Sequence, residues 1–208
     1  MKNLSEPVLG YWRMQGSAQP IRYVFEYFNI PYSEKHYEDW EDWSKEKFRL
    51  GLEFPNLPYL IDNEYRITES SAILEYPALK AKQPRLLGGD DLDRLKVKEL
   101  IGVLTDVKKE IFNVVLGDKV GWQDRKKECM QKIDPKLNYL NKFLGSANYL
   151  LGYVTIADFT LFYLLDLISN FETEIGLKQY TNLKLFLGSD LEIFLISKSI
   201  EVHKDLNA

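Results

Sequence analysis

Apolar positions come in short bursts in the first part of the chain and settle into a helical step in the second. Val8 to Trp12 reads as a strand, and Gly16-Ser17 as a turn with Ser17 as the expected N-cap. Pro20 falls in the first turn of the helix that follows, where its missing N–H costs little. Ile21, Val24, Phe25 and Phe28 then recur at i, i+3, i+4 and i+7, one face of a helix that Asn29-Ile30-Pro31 stops. Ser33 to Tyr37 reads as a second strand, Glu38 to Trp43 as an acidic, aromatic loop, and Ser44 to Leu50 as a short helix. Pro55 and Pro58 push the residues before them to extended geometry. Tyr59 to Ile61 is the next buried strand, Asp62-Asn63 a turn, and a fourth strand ends at Ile67. Glu69-Ser70-Ser71 opens another helix, which Pro77 is expected to bend or end.

From Gln83 to Asp90 turn formers cluster, and the pattern changes. Leu100, Leu104, Val107, Ile111 and Val114 step by four and three, and so do Met130, Ile133, Leu137, Leu140 and Leu144. Both predict amphipathic helices of a bundle, the second kinked at Pro135. Thr155 with Asp158 three residues on resembles a capping box. The run Phe159 to Ile168 is apolar on nearly every side, so its helix should be the bundle's centre. Two domains are expected: an α/β domain over residues 1–84, with strand order βαβ then ββα like thioredoxin, and an all-α domain over residues 91–208.

Composition narrows the function without naming it. Of 208 residues, 45% are hydrophobic, enough for a sizeable core, and the net charge is −4 with both signs mixed. Phosphate backbones need a basic face, so nucleic acid is not an expected partner. No apolar run is long enough to cross a membrane, and the first residues lack a signal peptide's apolar core; a cytoplasmic protein is expected. The single cysteine, Cys129, allows no internal disulfide and reads as a small apolar helix residue. His36 and His203 have no ligand partner at metal spacing, so no metal is expected.

The stretch Phe54 to Asp62, followed by Ile67 to Leu74, carries the chemistry. An extended, proline-flanked edge faces a helix start, which presents N–H groups and a positive dipole end to a small anion. These residues, Lys47 to Leu52 before them and Leu9-Gly10-Tyr11-Trp12 near the start resemble the cytosolic glutathione transferases, the mu class above all. The match is near-continuous from about Val8 to about Leu187. It implies a thioredoxin-like domain holding glutathione as co-substrate, with no further cofactor, and a helical domain contributing the site for a small hydrophobic electrophile. It also implies a homodimer acting in detoxification.

Residue by residue, the resemblance makes Pro58 a cis proline and lets Leu57 pair backbone to backbone with the cysteinyl part of glutathione. Tyr11 becomes the catalytic residue, donating its hydroxyl hydrogen bond to the glutathione sulfur. Trp12, Trp43, Lys47 and Asn56 become glutathione contacts, with Trp43 and Lys47 at the glycyl carboxylate. Glu69, where the mu class has glutamine, and Ser70 hold the γ-glutamyl end, and Asp106 reaches the glutathione amine of a neighbouring subunit. Met14, Phe112 and Leu116 line the electrophile side by analogy of position, and Phe54 is the aromatic anchor of the dimer interface. Taken alone, Tyr11 would be packing, Lys47 a solvated helix face, Ser70 an N-cap, and Arg22 a structural or interface ion-pair residue. Trp40 stands where the mu class has a carboxylate-binding arginine, and Leu116 where some relatives have a second tyrosine. A short segment after the last bundle helix is expected to leave the electrophile side open.

The proposed chemistry is energetically modest. A free thiol of pKa about 8.5 is only about 3% thiolate at pH 7. Lowering it by about two units takes roughly 2.7 kcal/mol of preference for the anion. One hydrogen bond to a charged acceptor supplies roughly 1.5–3 kcal/mol, and a helix N-terminus about 0.3–1 kcal/mol more. The thiolate can then attack an electrophilic carbon with no metal and no base. Two other readings share the fold: a prostaglandin-type isomerase using glutathione, which Glu69 and the short C-terminal segment favour, and a non-catalytic glutathione or hydrophobic-ligand binder, which Trp40 favours.

Overall fold

A computed structural model describes residues 6–173 and 176–188. The signal-peptide reading of the first residues and the expectation for the segment after the last helix lie outside them. The chain divides into two compact units, residues 1–84 and 85–208.

In the first unit, strand β1 (Val8–Trp12) leads through a 3-10 turn (Gly16–Ala18) into helix α1 (Gln19–Tyr27). Strand β2 (Ser33–Tyr37), helix α2 (Trp40–Glu46), strands β3 (Tyr59–Asp62) and β4 (Tyr65–Thr68), and helix α3 (Ser70–Lys80) follow. The sheet order is β2-β1-β3-β4, with β1 parallel to β2 and antiparallel to β3. This is the mixed thioredoxin-like sheet that the strand order predicts. Helices α1 and α3 pack together over it, burying Ile21, Val24, Phe25 and Ile73 with Leu9 and Leu60 of the sheet.

Three boundaries differ from expectation. Helix α2 starts at Trp40 and not near Ser44, because the Asp39 side chain accepts from the Asp42 amide at 2.9 Å and caps it. Ser17 is not the N-cap of α1: it sits inside the 3-10 turn, and the residue before α1 is Ala18, with no side-chain cap bond. Pro77 does not end α3, which runs on to Lys80 with Pro77 itself buried. A proline removes one backbone bond, and here the flanking Ile73, Leu74 and Ala78 are all anchored in the core.

The second unit is helical: α4 (Asp91–Val115), α5 (Trp122–Leu144), α6 (Ile156–Phe171) and α7 (Thr181–Leu187). The stripe Leu100, Leu104, Val107, Ile111 and Val114 is buried as the spacing predicts. On α5, Cys129 and not Met130 heads the buried stripe that continues through Ile133, Leu137, Leu140 and Leu144, and the helix is continuous through Pro135. Helix α6 packs against α4 and α7 and is buried almost all round. Its capping box is formed: Asp158, fully buried, accepts from the amides of Leu150 and Thr155 and from Thr155 Oγ1, each at 2.8 Å.

Candidate functional site

The chemistry of the first unit begins at the C-terminal half of β1. Gly10 pairs with Tyr59 across the sheet, and a Cβ there would lie 2.1 Å from the Tyr59 ring, so the glycine lets that ring cross the strand. Tyr11 follows on β1, only 7% exposed. The chain then turns back over its phenol. Gly16 has φ +49°, and a Cβ there would come within 2.6 Å of the Tyr11 oxygen. That close approach and that backbone geometry both require glycine. The next amide, Ser17 N–H, donates to Tyr11 Oη at 3.1 Å. A hydroxyl has one proton to donate and can accept twice. The amide takes one lone pair of the oxygen and leaves the hydroxyl its one proton as a donor, and accepting one bond strengthens that donor.

An aromatic cluster packs against the next residue of β1, Trp12. Tyr37, Trp43, Leu52 and Tyr59 are buried together, with Trp12, Leu50, Leu57 and Ile61 packed against them. The Trp43 ring stacks on Tyr59 with centroids 6.1 Å apart and meets Tyr37 edge-on at 5.2 Å. Tyr37 donates to Glu46 at 2.9 Å and shares a hydrogen bond with Tyr59 at 3.0 Å. Burial, more than these bonds, pushes the Tyr37 phenol well above its ordinary range, so it stays neutral. Lys35 closes the cluster on Glu46 at 2.9 Å, and with Tyr37 holds that carboxylate below its usual range. Helix α2 is thereby fixed to the sheet, and Lys47 just after it is held over two aromatic faces: Trp40 at 5.4 Å and Phe48 at 5.5 Å. The exposed Trp40 indole, standing where the mu class has an arginine, is one of the rings the Lys47 cation lies over.

The proline edge lies just before β3, at the end where Tyr59 pairs with Gly10. The Leu57–Pro58 peptide is cis, as the resemblance implies. Pro58 is buried, Leu57 half-buried and Asn56 exposed. Because Tyr59 pairs with Thr68, the residues beyond them, Pro58 and Glu69, flank the same end of the β3–β4 hairpin. Asn56 Nδ2 donates to Glu69 Oε1 at 3.4 Å across this end. Glu69 has φ +69°, a strained geometry for a glutamate, and its side chain makes no cap bond. It stands immediately before α3, whose first residue is the half-buried Ser70. The first unit therefore brings Trp12, Leu57 and Trp43 onto one cluster, with Tyr11 next to Trp12 on β1, and Asn56 with Glu69 and Ser70 onto one edge.

In the same unit Met14 is 41% exposed and Phe54 73% exposed. In the helical unit Asp106 faces solvent on α4, with Lys136 Nζ 2.9 Å away holding its carboxyl below the usual range. Phe112 is half-buried with the Lys108 ammonium 5.9 Å from its ring, and Leu116, at the end of α4, is exposed. Burial pushes Lys108 below its ordinary range. Among the described residues no cluster of three His, Cys, Asp or Glu side chains could hold a metal ion, and no helix is long and apolar enough to cross a membrane. Reading residue types missed Gly16 and the Ser17 amide. The signal was there in Gly16-Ser17, five and six residues past a strand tyrosine, but only the folded turn puts that amide on the phenol.

Comparison with known proteins agrees with this architecture. Residues 7–78 match the family described as glutathione S-transferase, N-terminal domain, and residues 105–189 the glutathione S-transferase, C-terminal domain. Glutathione S-transferase Y1 of Cricetulus longicaudatus is 36% identical over 189 residues, spanning 87% of this chain and 84% of the relative. Glutathione S-transferase Mu 1 of Mus musculus is 35% identical over the same length and coverage. The crystal structure of the glutathione S-transferase Blo t 8 superposes with a TM-score of 0.82 at 25% identity, over 93% of this chain and 91% of that one.

Proposed function

This chain belongs to the glutathione S-transferase family, and on that premise we propose that Tyr11 activates glutathione for conjugation to small hydrophobic electrophiles. The enzyme is mu-class-like and uses glutathione as co-substrate. The observation that carries the role of Tyr11 is its hydroxyl, fixed by the Ser17 amide at 3.1 Å with its own proton left to donate. That proton meets the thiolate sulfur, and the anion is stabilised relative to the thiol. The sulfur lone pair then forms the bond to the electrophilic carbon as the leaving group departs or the double bond takes up the electrons.

The cysteinyl backbone runs beside Leu57 and Pro58. The γ-glutamyl end meets Ser70 and Glu69, with a carboxylate suited to the substrate's ammonium, and Asn56 braces Glu69. The glycyl carboxylate meets Lys47, with Trp12 and Trp43 as the surrounding wall. Met14, Phe112 and Leu116 are assigned to the electrophile, and Asp106 to the amine of glutathione in a partner subunit, by resemblance alone. A homodimer anchored through Phe54, a cytoplasmic location and a detoxifying role complete the reading.

The test is Tyr11→Phe, assayed with a chloronitrobenzene and on a glutathione matrix. Loss of one hydrogen bond to a charged acceptor should lower turnover about 10- to 100-fold while retention persists. Unchanged turnover removes Tyr11 from the role. The isomerase alternative is not favoured, since relatives sharing about a third of the sequence carry the transferase name. Retention with no turnover in the wild-type chain would favour the binder.

A further inference from the structure

Arg22 lies one turn into α1 and is only 13% exposed at its side chain. One of its terminal nitrogens donates to the carbonyls of Met14 at 3.1 Å and Gln15 at 3.0 Å, and to Gln19 Oε1 at 3.1 Å. Its Nε bonds the Glu34 carboxylate on β2, whose second oxygen takes His36 Nε2 at 2.9 Å. The two carbonyls belong to the loop that carries Gly16 and Ser17. In that loop Arg13, Met14 and Gln15 are exposed, with Arg13 Nε on the Glu38 carboxylate, and the next buried side chain is Ala18. The loop's backbone ties to the sheet come before Gln15, from Arg13 N–H to Tyr37 and from Met14 N–H to Trp12. On the far side of Ser17 the Gln19 N–H donates to the Gly16 carbonyl, and the guanidinium holds the two carbonyls that lie between these backbone bonds.

We propose that Arg22 is the positioning residue of the thiolate site, clamping the Met14–Gln15 carbonyls so that the Ser17 amide stays on the Tyr11 hydroxyl. This rests on the reading of Tyr11 as the donor to the sulfur. A planar fork with several donors can hold adjacent carbonyls and a carboxylate together, whereas an ammonium reaches them only singly. Geometry acts steeply here, because a hydrogen bond weakens quickly with misalignment. If Arg22 merely braced α1 against β2 through Glu34, its loss would lower thermal stability and leave the sulfur's ionisation unchanged.

The experiment compares wild type, Arg22→Ala, Arg22→Lys and Glu34→Gln as full chains. Each is checked for folding by circular dichroism, then titrated by thiolate ultraviolet absorbance of bound glutathione and assayed for kcat and KM across pH. In Arg22→Ala the bound thiol should move up by about one unit, so that kcat at neutral pH falls about tenfold and recovers at higher pH. KM for glutathione should stay within about threefold, since Arg22 touches none of it. Millimolar guanidinium should restore part of the loss in Arg22→Ala and do nothing for wild type. Arg22→Lys should fall between, and it carries the test should the alanine variant not fold. Glu34→Gln, which keeps both carbonyl bonds, should keep the wild-type thiol. A folded Arg22→Ala or Arg22→Lys with wild-type thiol ionisation overturns the proposal, as does a Glu34→Gln shift as large as that of Arg22→Ala. A wild-type chain that binds glutathione with an unshifted thiol overturns the Tyr11 reading, and this inference with it.

Discussion

Gly16 shows how much one residue can decide. Its missing side chain leaves the space in which the Tyr11 phenol sits, and its φ of +49° sends the chain back so that the following amide reaches Tyr11 Oη. Gly16→Ala should therefore damage catalysis more than binding. The added Cβ falls 2.6 Å from the phenol oxygen in a backbone geometry that L residues rarely adopt, so the Ser17 bond is lost. Turnover is expected to fall by about tenfold or more with KM for glutathione little changed, read from steady-state kinetics. Equal turnover would mean that the amide contributes nothing. At this scale the sequence was legible where a residue's type dictates its neighbour: Tyr11 at the end of its strand, Pro58 before β3, Asn56 beside it. It was not legible for Trp40, whose ring lies against Lys47 because α2 starts four residues earlier than its polarity pattern implies.

Among the elements, α6 and its capping box hold the helical unit together. Asp158 accepts three hydrogen bonds from inside the core, so Asp158→Ala strands the Leu150 and Thr155 donors. A loss of about 2–4 kcal/mol in urea unfolding is expected. Burial raises the Asp158 carboxyl to about 6 in the folded protein, against about 3.9 in an unfolded chain. The folded state thus holds this proton more tightly. Its contribution is full below the unfolded value and is lost as pH rises through the folded one. Stability should fall with rising pH between about 4 and 6 on this account, and Asp158→Asn should flatten that slope. The element pattern itself was largely readable, since the stripes of α4 and α5 obey the helical step. The errors came from single local bonds. An Asp39 side chain extends α2, and a helix anchored by its buried neighbours runs through Pro77.

For the molecule as a whole, the family reading implies an assembly of two chains. Phe54 is 73% exposed in a single chain, a large apolar surface for water to cover. As the proposed dimer anchor it should carry a disproportionate share of the association. Phe54→Ala is expected to weaken dimerisation by about 30-fold or more, visible as a shift toward monomer in sedimentation at micromolar concentration. An unchanged distribution would place the contact elsewhere. The net charge of −4 is mixed in sign along the chain and is too small to oppose association by itself.

The sequence by itself determined the order of elements, the two helical stripes, the buried centre at Phe159 to Ile168 and the family, because these follow from periodicity and from long ordered identity along one dimension. What only the tertiary structure decided were the contacts joined through backbone atoms: the Ser17 amide on Tyr11 and the Arg22 clamp on Met14 and Gln15. Backbone donors and acceptors are the same in every residue. Which of them reaches a given side chain depends on where the fold turns the chain, and residue type alone carries no record of that.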